Sequence, residues 1–156
     1  MKNDRTFIIA EIGVNHNGSL SVARRLVDSA KKCGADAVKF QTFTADSVVT
    51  RTAAKAADQK RSTSSSESQY SMLKKLELGR DAHISLKKRC RKIGIEFLSS
   101  AFDEDSADFL YDIGMRKFKI PSGEITNLPF LRHIALKKCP IILSTGMSTM
   151  KEVGEA

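Results

Sequence analysis

Tryptophan is absent from these 156 residues, and aromatic residues make up only 6% of them. A surface that stacks single-stranded bases needs exposed rings, so nucleic acid is not an expected partner. No apolar run approaches the ~20 residues of a membrane helix. The N-terminal MKNDRTFIIAEIG offers too short an apolar stretch before Glu11 for a signal peptide. A cytoplasmic protein with no membrane partner is therefore expected. The three cysteines, Cys33, Cys90 and Cys139, are far apart and lack metal-type spacing. They read as free thiols that pack as small apolar residues. No His-x-His or His-x-x-x-His pair occurs, so no metal site is expected within this chain. No Gly-x-Gly-x-x-Gly follows the first apolar segment, which weakens a dinucleotide-binding reading.

What is present is an ordinary globular balance, 41% hydrophobic and 28% charged, in a length that suits one domain. The formal net charge is +8. Its carriers read as scattered pairs, among them Arg24-Arg25, Lys31-Lys32, Lys87-Lys88-Arg89 and Lys137-Lys138, on polar helix faces and at helix C-termini. A positive field of this kind helps to attract a small polyanionic substrate.

Apolar segments alternate with helical patterns along the whole chain. Phe7–Ala10 reads as a strand buried on both faces, followed by the loop Glu11–Gly18. Ser19 is a fair N-cap for a helix whose inner face carries Leu20, Ala23, Leu26, Val27, Ala30 and Cys33. Asp36–Thr42 is the second strand. Residues 43–66 read as a long mobile loop. Glu67–Leu78 reads as a short helix, and Asp81 as the cap of the next one. Ile95–Ser100, Lys117–Ile120 and Pro140–Ser144 are the remaining strands, with helices after Asp103, near Pro129 and from Met147. This alternation predicts a parallel α/β sheet. An open doubly wound sheet and a (β/α)8 TIM barrel both fit it.

The strand ends favour the barrel, because each closes in chemically useful residues: Glu11, Lys39 with Gln41, Ser99-Ser100, Lys119 before Pro121-Ser122-Gly123-Glu124, and Ser144-Thr145. Five such endings in succession predict a single active-site rim. Lysines inside a barrel are costly without a partner, so Lys39 and Lys119 are candidates for holding an anion. Glu11 could also pair with Lys39. His16, in a loop at the same end, either contacts substrate or orders the loop. His83 and His133 read as structural, and Met72 and Met147 as packing residues.

The motifs AEIGVNHNGS, DAVKFQTF, ESQYSMLKKLEL, GIEFLSSAFD, KFKIPSGEITNLP and PIILSTGMST, in that order, make the chain similar to the sialic acid synthase family along essentially its whole length. The resemblance implies a (β/α)8 barrel that condenses phosphoenolpyruvate with an N-acylated mannosamine-type sugar, releasing phosphate and a nonulosonic acid. It implies that Lys39, Lys119, Ser100, Ser122 and Ser144 bind the phosphate and carboxylate. Glu124 matches an acidic residue near the sugar, Glu11 one at the pocket floor, and Gln41 and Phe102 match positions lining the sugar pocket. Glu124, Glu11 and Lys119 are thus the candidate catalytic residues. The family uses a divalent metal, usually Mn2+, whose two histidine ligands lie in the second half of the barrel. That half and a C-terminal antifreeze-like domain are expected to be missing here, which leaves the first five strands and about half of the active site. A homo-oligomer is expected. Ser100-Ala101-Phe102-Asp103 stands where the family commonly has Thr-Pro-Phe-Asp, and keeps the hydroxyl.

Two other readings fit the same residues. One is a barrel aldolase in which Lys119 or Lys39 forms a Schiff base. The other is an inactive anion-binding or assembly fragment with unpaired strand edges.

Overall fold

A computed structural model describes residues 5–54 and 67–156. Five parallel strands lie side by side in sequence order: β1 (Ile9–Gly13), β2 (Ala37–Thr42), β3 (Glu96–Ala101), β4 (Phe118–Ile120) and β5 (Ile141–Leu143). The helices are α1 (Leu20–Lys32), α2 (Ala45–Val48), α3 (Gln69–Leu76), α4 (Arg80–Ile93), α5 (Glu104–Asp112), α6 (Leu128–Leu136) and α7 (Met150–Glu155). Among the described residues no helix is long and apolar enough to cross a membrane.

Strand periodicity sorts the side chains onto two faces. Val38, Phe40, Phe97, Phe118 and Ile120 join Val27, Leu86 and Leu110 of the helices in one core. Phe40 and Phe97 stack there, 5.7 Å between centroids. The residues between them, Lys39, Gln41 and Lys119, belong to the opposite face. Leu98, in register with Lys39, is buried outside the main core and floors that face.

Several boundaries differ from the sequence reading. β1 starts two residues later than Phe7 and continues through Glu11 to Gly13. Among the described residues β1 pairs only with β2, and Phe7 and Ile8, which precede it, are about half exposed rather than buried on both faces. Ile8 instead turns the chain: its carbonyl accepts from the amides of Asp36 and Ala37, and its amide donates to the Asp36 carboxylate. Within 43–66, residues 45–48 form α2 rather than loop, because the Glu77 carboxylate accepts from the Ala45 amide at its start. The rest of that loop expectation falls largely on 55–66, outside the described residues. Gly79, not Asp81, is the N-cap of α4, and Asp81 lies in the first turn. Ser122–Glu124 winds into one 3-10 turn. α7 begins at Met150, not Met147, because Thr149 and Glu152 form a capping box. Met147 is fully exposed and packs nothing. Ser19, Asp103 and Asn127 each cap a helix through the side chain. All three cysteines are free, but Cys33 ends α1 exposed to solvent rather than packed. Cys90 is buried, and burial pushes its thiol up to about 12, so it stays protonated and inert.

A hydrogen-bonded chain lies between β2, β3 and α4. The Nδ1 of buried His83 bonds the Gly79 carbonyl, which can only accept, so Nδ1 carries the proton. Burial holds the ring neutral, so Nε2 accepts from the Thr42 hydroxyl at 2.9 Å, and Thr42 in turn accepts from Ser99 at 2.7 Å. His16 is equally buried. Its Nδ1 accepts from the Gly18 amide at 3.0 Å, while its Nε2 has no partner at hydrogen-bond geometry among the described residues, the Gly13 backbone being near the ring. Its pKa is lowered, by burial first and by His83 second.

The pH dependence follows. Both folded histidines titrate below their ordinary 6.5, so the unfolded chain takes up protons first as pH falls. The stability they permit is complete above about pH 6.5 and drains away below it. A thermal melt series from pH 7.5 to 5 is expected to show a level Tm to about 6.5 and a fall beneath it. His83→Gln, which keeps polar contacts without a titrating ring, should flatten that fall. A Tm that rises on acidification counts against neutral buried histidines.

Candidate active site

The sheet register gathers the inward polar residues into adjoining rows. Glu11 is level with Lys39. Gln41 is level with Ser100, and Ser100 with Lys119. Lys119 is level with Ile142, so alternation puts Ser144 one step further on the same face. Lys39, mostly buried, forms an ion pair with half-exposed Glu11. Lys119 is differently placed. Its ammonium donates to the Ile120 carbonyl at 3.0 Å and forms no ion pair among the described residues. Burial lowers its pKa first and the Lys39 cation lowers it second, with Glu11 opposing. Glu11, Lys39 and Lys119 therefore make one electrostatic cluster with an excess positive charge. A cluster of that kind is ready for an anion.

Three residues that sequence reasoning passed over shape the site. A bulge separates Glu11 from Gly13, whose φ is +54°. A Cβ at Gly13 would sit 3.1 Å from the Glu11 carboxylate and 3.5 Å from the Gln41 amide. The glycine thus leaves room for both groups to lie over the backbone. Asn127 caps α6 with its Oδ1 and donates from Nδ2 to the Glu124 carboxylate at 2.8 Å. It orients Glu124, which is half-buried in the turn after β4. An Asn two residues before Pro129 is a legible cap signal, but its second bond is not. Gly146 lies close to Ser122: a Cβ there would stand 3.6 Å from the Ser122 hydroxyl. That contact brings the turns after β4 and β5 together, beside Ser144.

Phe102 is half-buried at the end of β3, and its ring meets the edge of Phe43 at 6.1 Å. Ser99 faces the helices, so it is not in the cluster. His16 packs against Phe40 on the helix side, and the geometry matches loop ordering. A partly open cavity of about 250 Å³ bounded by Thr42, Glu77, Arg80, His83 and Asp103 lies beside β2 and excludes the lysine cluster. Among the described residues no group of three metal-binding side chains comes together. The residues present therefore do not fit a Mn2+ site.

A parallel β/α array with cations, hydroxyls and carboxylates at the C-terminal ends of its strands defines a barrel-type enzyme scaffold. Residues 26–156 match the NeuB family, and the chain belongs to that family. It is 56% identical over 147 residues to the N,N'-diacetyllegionaminic acid synthase of Legionella pneumophila, covering 94% of this chain and 41% of that protein. It is 37% identical over 151 residues to the human N-acetylneuraminate-9-phosphate synthase, covering 94% and 42%. The crystal structure of a Leptospira borgpetersenii N-acetylneuraminic acid synthetase in complex with citrate superposes with a TM-score of 0.80 at 31% identity, covering 98% of this chain and 49% of that one. The fold is accordingly the first five strands of a TIM-type barrel, and the chain spans less than half the length of the curated relatives it matches.

Proposed function

We propose that this chain carries the anion-binding half of a nonulosonic acid synthase, which joins phosphoenolpyruvate to an N-acylmannosamine-type sugar. The observation that carries the reading is the electrostatically stressed Lys119, without an ion pair among the described residues, beside the Lys39–Glu11 pair. Phosphoenolpyruvate concentrates its charge in a phosphate and a carboxylate, and two ammonium groups flanked by Ser100, Ser122 and Ser144 suit both. In this reading C3 of the enol attacks the aldehyde carbon of the open-chain sugar, and water adds at the resulting cationic C2. The C2–O bond then breaks, and phosphate departs with the bonding pair. The lysines stabilise that departing charge. Glu124, held by Asn127, orients a reacting hydroxyl or takes its proton. Gln41 and Phe102 face the sugar. The names of the relatives favour a diacetylated, legionaminic-type product.

A depressed lysine pKa also suits a Schiff base, so the test separates the two chemistries. Calorimetric titration of phosphoenolpyruvate into the chain is expected to show micromolar to millimolar binding, with pyruvate much weaker. Borohydride added with pyruvate is expected to leave the mass unchanged. A stable adduct on Lys119 or Lys39 would establish the aldolase reading instead. No binding by a folded chain would leave the fragment reading.

A further inference from the structure

The positive charge is not scattered over the surface. Helices α1 and α4 together hold ten Lys and Arg (Arg24, Arg25, Lys31, Lys32, Arg80, Lys87, Lys88, Arg89, Arg91 and Lys92) against two Asp (Asp28 and Asp81). Their net charge is +8, equal to that of the entire chain, so the remaining residues are neutral overall. The two helices are neighbours. Arg89 reaches across to Asp28 at 2.8 Å, and Arg24 donates to Ser85 at 2.6 Å. The sequence spreads these residues over two segments, which is why they read as dispersed. The fold brings most of them together on the outer helical layer; Arg80, at the start of α4, lies over the Phe109 ring and borders the cavity beside β2 instead.

Some of these cations are occupied. Lys31 donates to the Gly94 carbonyl and Lys87 to the Ile113 carbonyl, each closing a helix end. Five others, Arg25, Lys32, Lys88, Arg91 and Lys92, have no hydrogen bond or ion pair among the described residues. All five are exposed. The like charges already repel: burial lowers the Lys87 pKa first, and then Arg116 and Arg91 lower it further. Lys32, Arg91 and Lys92 lie in the last turns of their helices, where a cation suits the helix dipole, but no side-chain partner among the described residues engages any of the five.

The relief of this face distinguishes its partners. A groove of about 290 Å³ runs along each side of α4. One is bounded by Lys31, Lys32 and Arg89 with Ile93 in its wall, and it also holds Asp28, which is taken up by its ion pair with Arg89. The other is bounded by Lys87, Lys88 and Arg91 and walled by Ile84 and Ile113. The isoleucines are partly buried within the grooves and do not project from the surface. A nucleic acid backbone would meet the cations but leave these apolar walls wet. A membrane would need apolar side chains that project, which this face lacks. A protein segment with carboxylates and interspersed aliphatic side chains satisfies both features at once.

We infer that the α1–α4 face is a docking surface for an acidic protein segment carrying aliphatic side chains. Its carboxylates would meet Arg25, Lys32, Lys88, Arg91 and Lys92, and its aliphatic groups would enter the isoleucine-walled grooves beside α4. This surface is on the helical layer and separate from the lysine cluster, so it stands whether or not the synthase reading holds. Such a complex forms quickly and weakens with salt, because exposed charges are screened within ~8 Å at physiological ionic strength.

The test uses the 156-residue chain and a fluorescein-labelled synthetic peptide of alternating Glu and Leu pairs, read by fluorescence anisotropy. Oligoglutamate of equal charge, a short DNA duplex and phosphatidylserine vesicles serve as comparators. The Glu/Leu peptide is expected to bind at least about tenfold more tightly than oligoglutamate, with affinity falling as salt rises. The triple variant K88E/R91E/K92E should lose about tenfold or more, and R25E/K32E, at a separate part of the face, should lose affinity on its own. Lys151→Glu, away from both helices, should not change it. Circular dichroism of each variant establishes that it is folded. The proposal is overturned if DNA or vesicles bind more tightly than the Glu/Leu peptide, if no probe binds, or if folded charge-reversal variants bind the peptide as the parent does.

Discussion

Replacing Lys119 with alanine is expected to weaken phosphoenolpyruvate binding by about a hundredfold, the size of losing one or two charge-assisted hydrogen bonds to an anion. The sign of the accompanying stability change makes the experiment informative. In the free protein this ammonium is desolvated by burial and repelled by Lys39, with only the Ile120 carbonyl as a hydrogen-bond acceptor among the described residues. Removing it relieves both costs, so the Tm should not fall even as binding collapses. Lys119→Met, which retains most of the aliphatic stem, should lose binding equally and so exclude a packing explanation. Lys39→Met is expected to behave differently. It strands the Glu11 carboxylate as well as removing a cation from the anion site. Calorimetric titration beside a thermal melt measures both quantities. Unchanged affinity in Lys119→Met, with the fold intact, would show that the anion anchor lies elsewhere.

Gly18→Ala is expected to cost about 2–4 kcal/mol, through an unfavourable backbone conformation and a clash with a main-chain atom. Gly18 has a φ of +73°, and a Cβ built there falls 2.4 Å from the Lys75 carbonyl oxygen. No side-chain rotation relieves that contact, because Lys75 lies in the last turn of α3. Either α3 moves away or the β1–α1 loop does, and the loop also holds the buried His16 through the Gly18 amide. The corresponding drop in Tm is on the order of 5–15 °C for a domain of this size. Gly34→Ala provides the comparison. Its φ is +86°, but a Cβ there meets nothing within 4 Å, so it should cost only the backbone preference. Equal losses for the two variants would mean that the contact with α3 contributes nothing.

The order of strands and helices was legible because each element announces itself locally, through a short apolar run or a capped 3.6-residue period. The lysine cluster was legible for the same reason: Lys39 and Lys119 each interrupt an apolar strand one position from its core residues. What escaped the sequence depended on contacts between distant segments. β1 extends to Gly13 because β2 is there to pair with it, and α2 forms where Glu77, far along the chain, supplies an acceptor. The Asn127–Glu124 bond, the space over Gly13 and the gathering of charge on α1 and α4 are likewise tertiary facts. Composition gave the net charge correctly but carried no information about its direction.

The spatial order of the strands repeats their order in the chain, and this bears on how the chain comes together in time. Each new strand finds its partner already formed on the N-terminal side, so the sheet can grow in one direction as the polypeptide emerges during synthesis. The separations are uneven. Ile9 waits for Ala37, and Phe118 for Ile141, but Ala37 must wait until Glu96. Doubling such a separation adds only ~0.6 kcal/mol of closure entropy. The delay is therefore longer in time than it is costly in free energy. Until β3 docks, the edge of β2 that will receive it stands open to pairing with a neighbour.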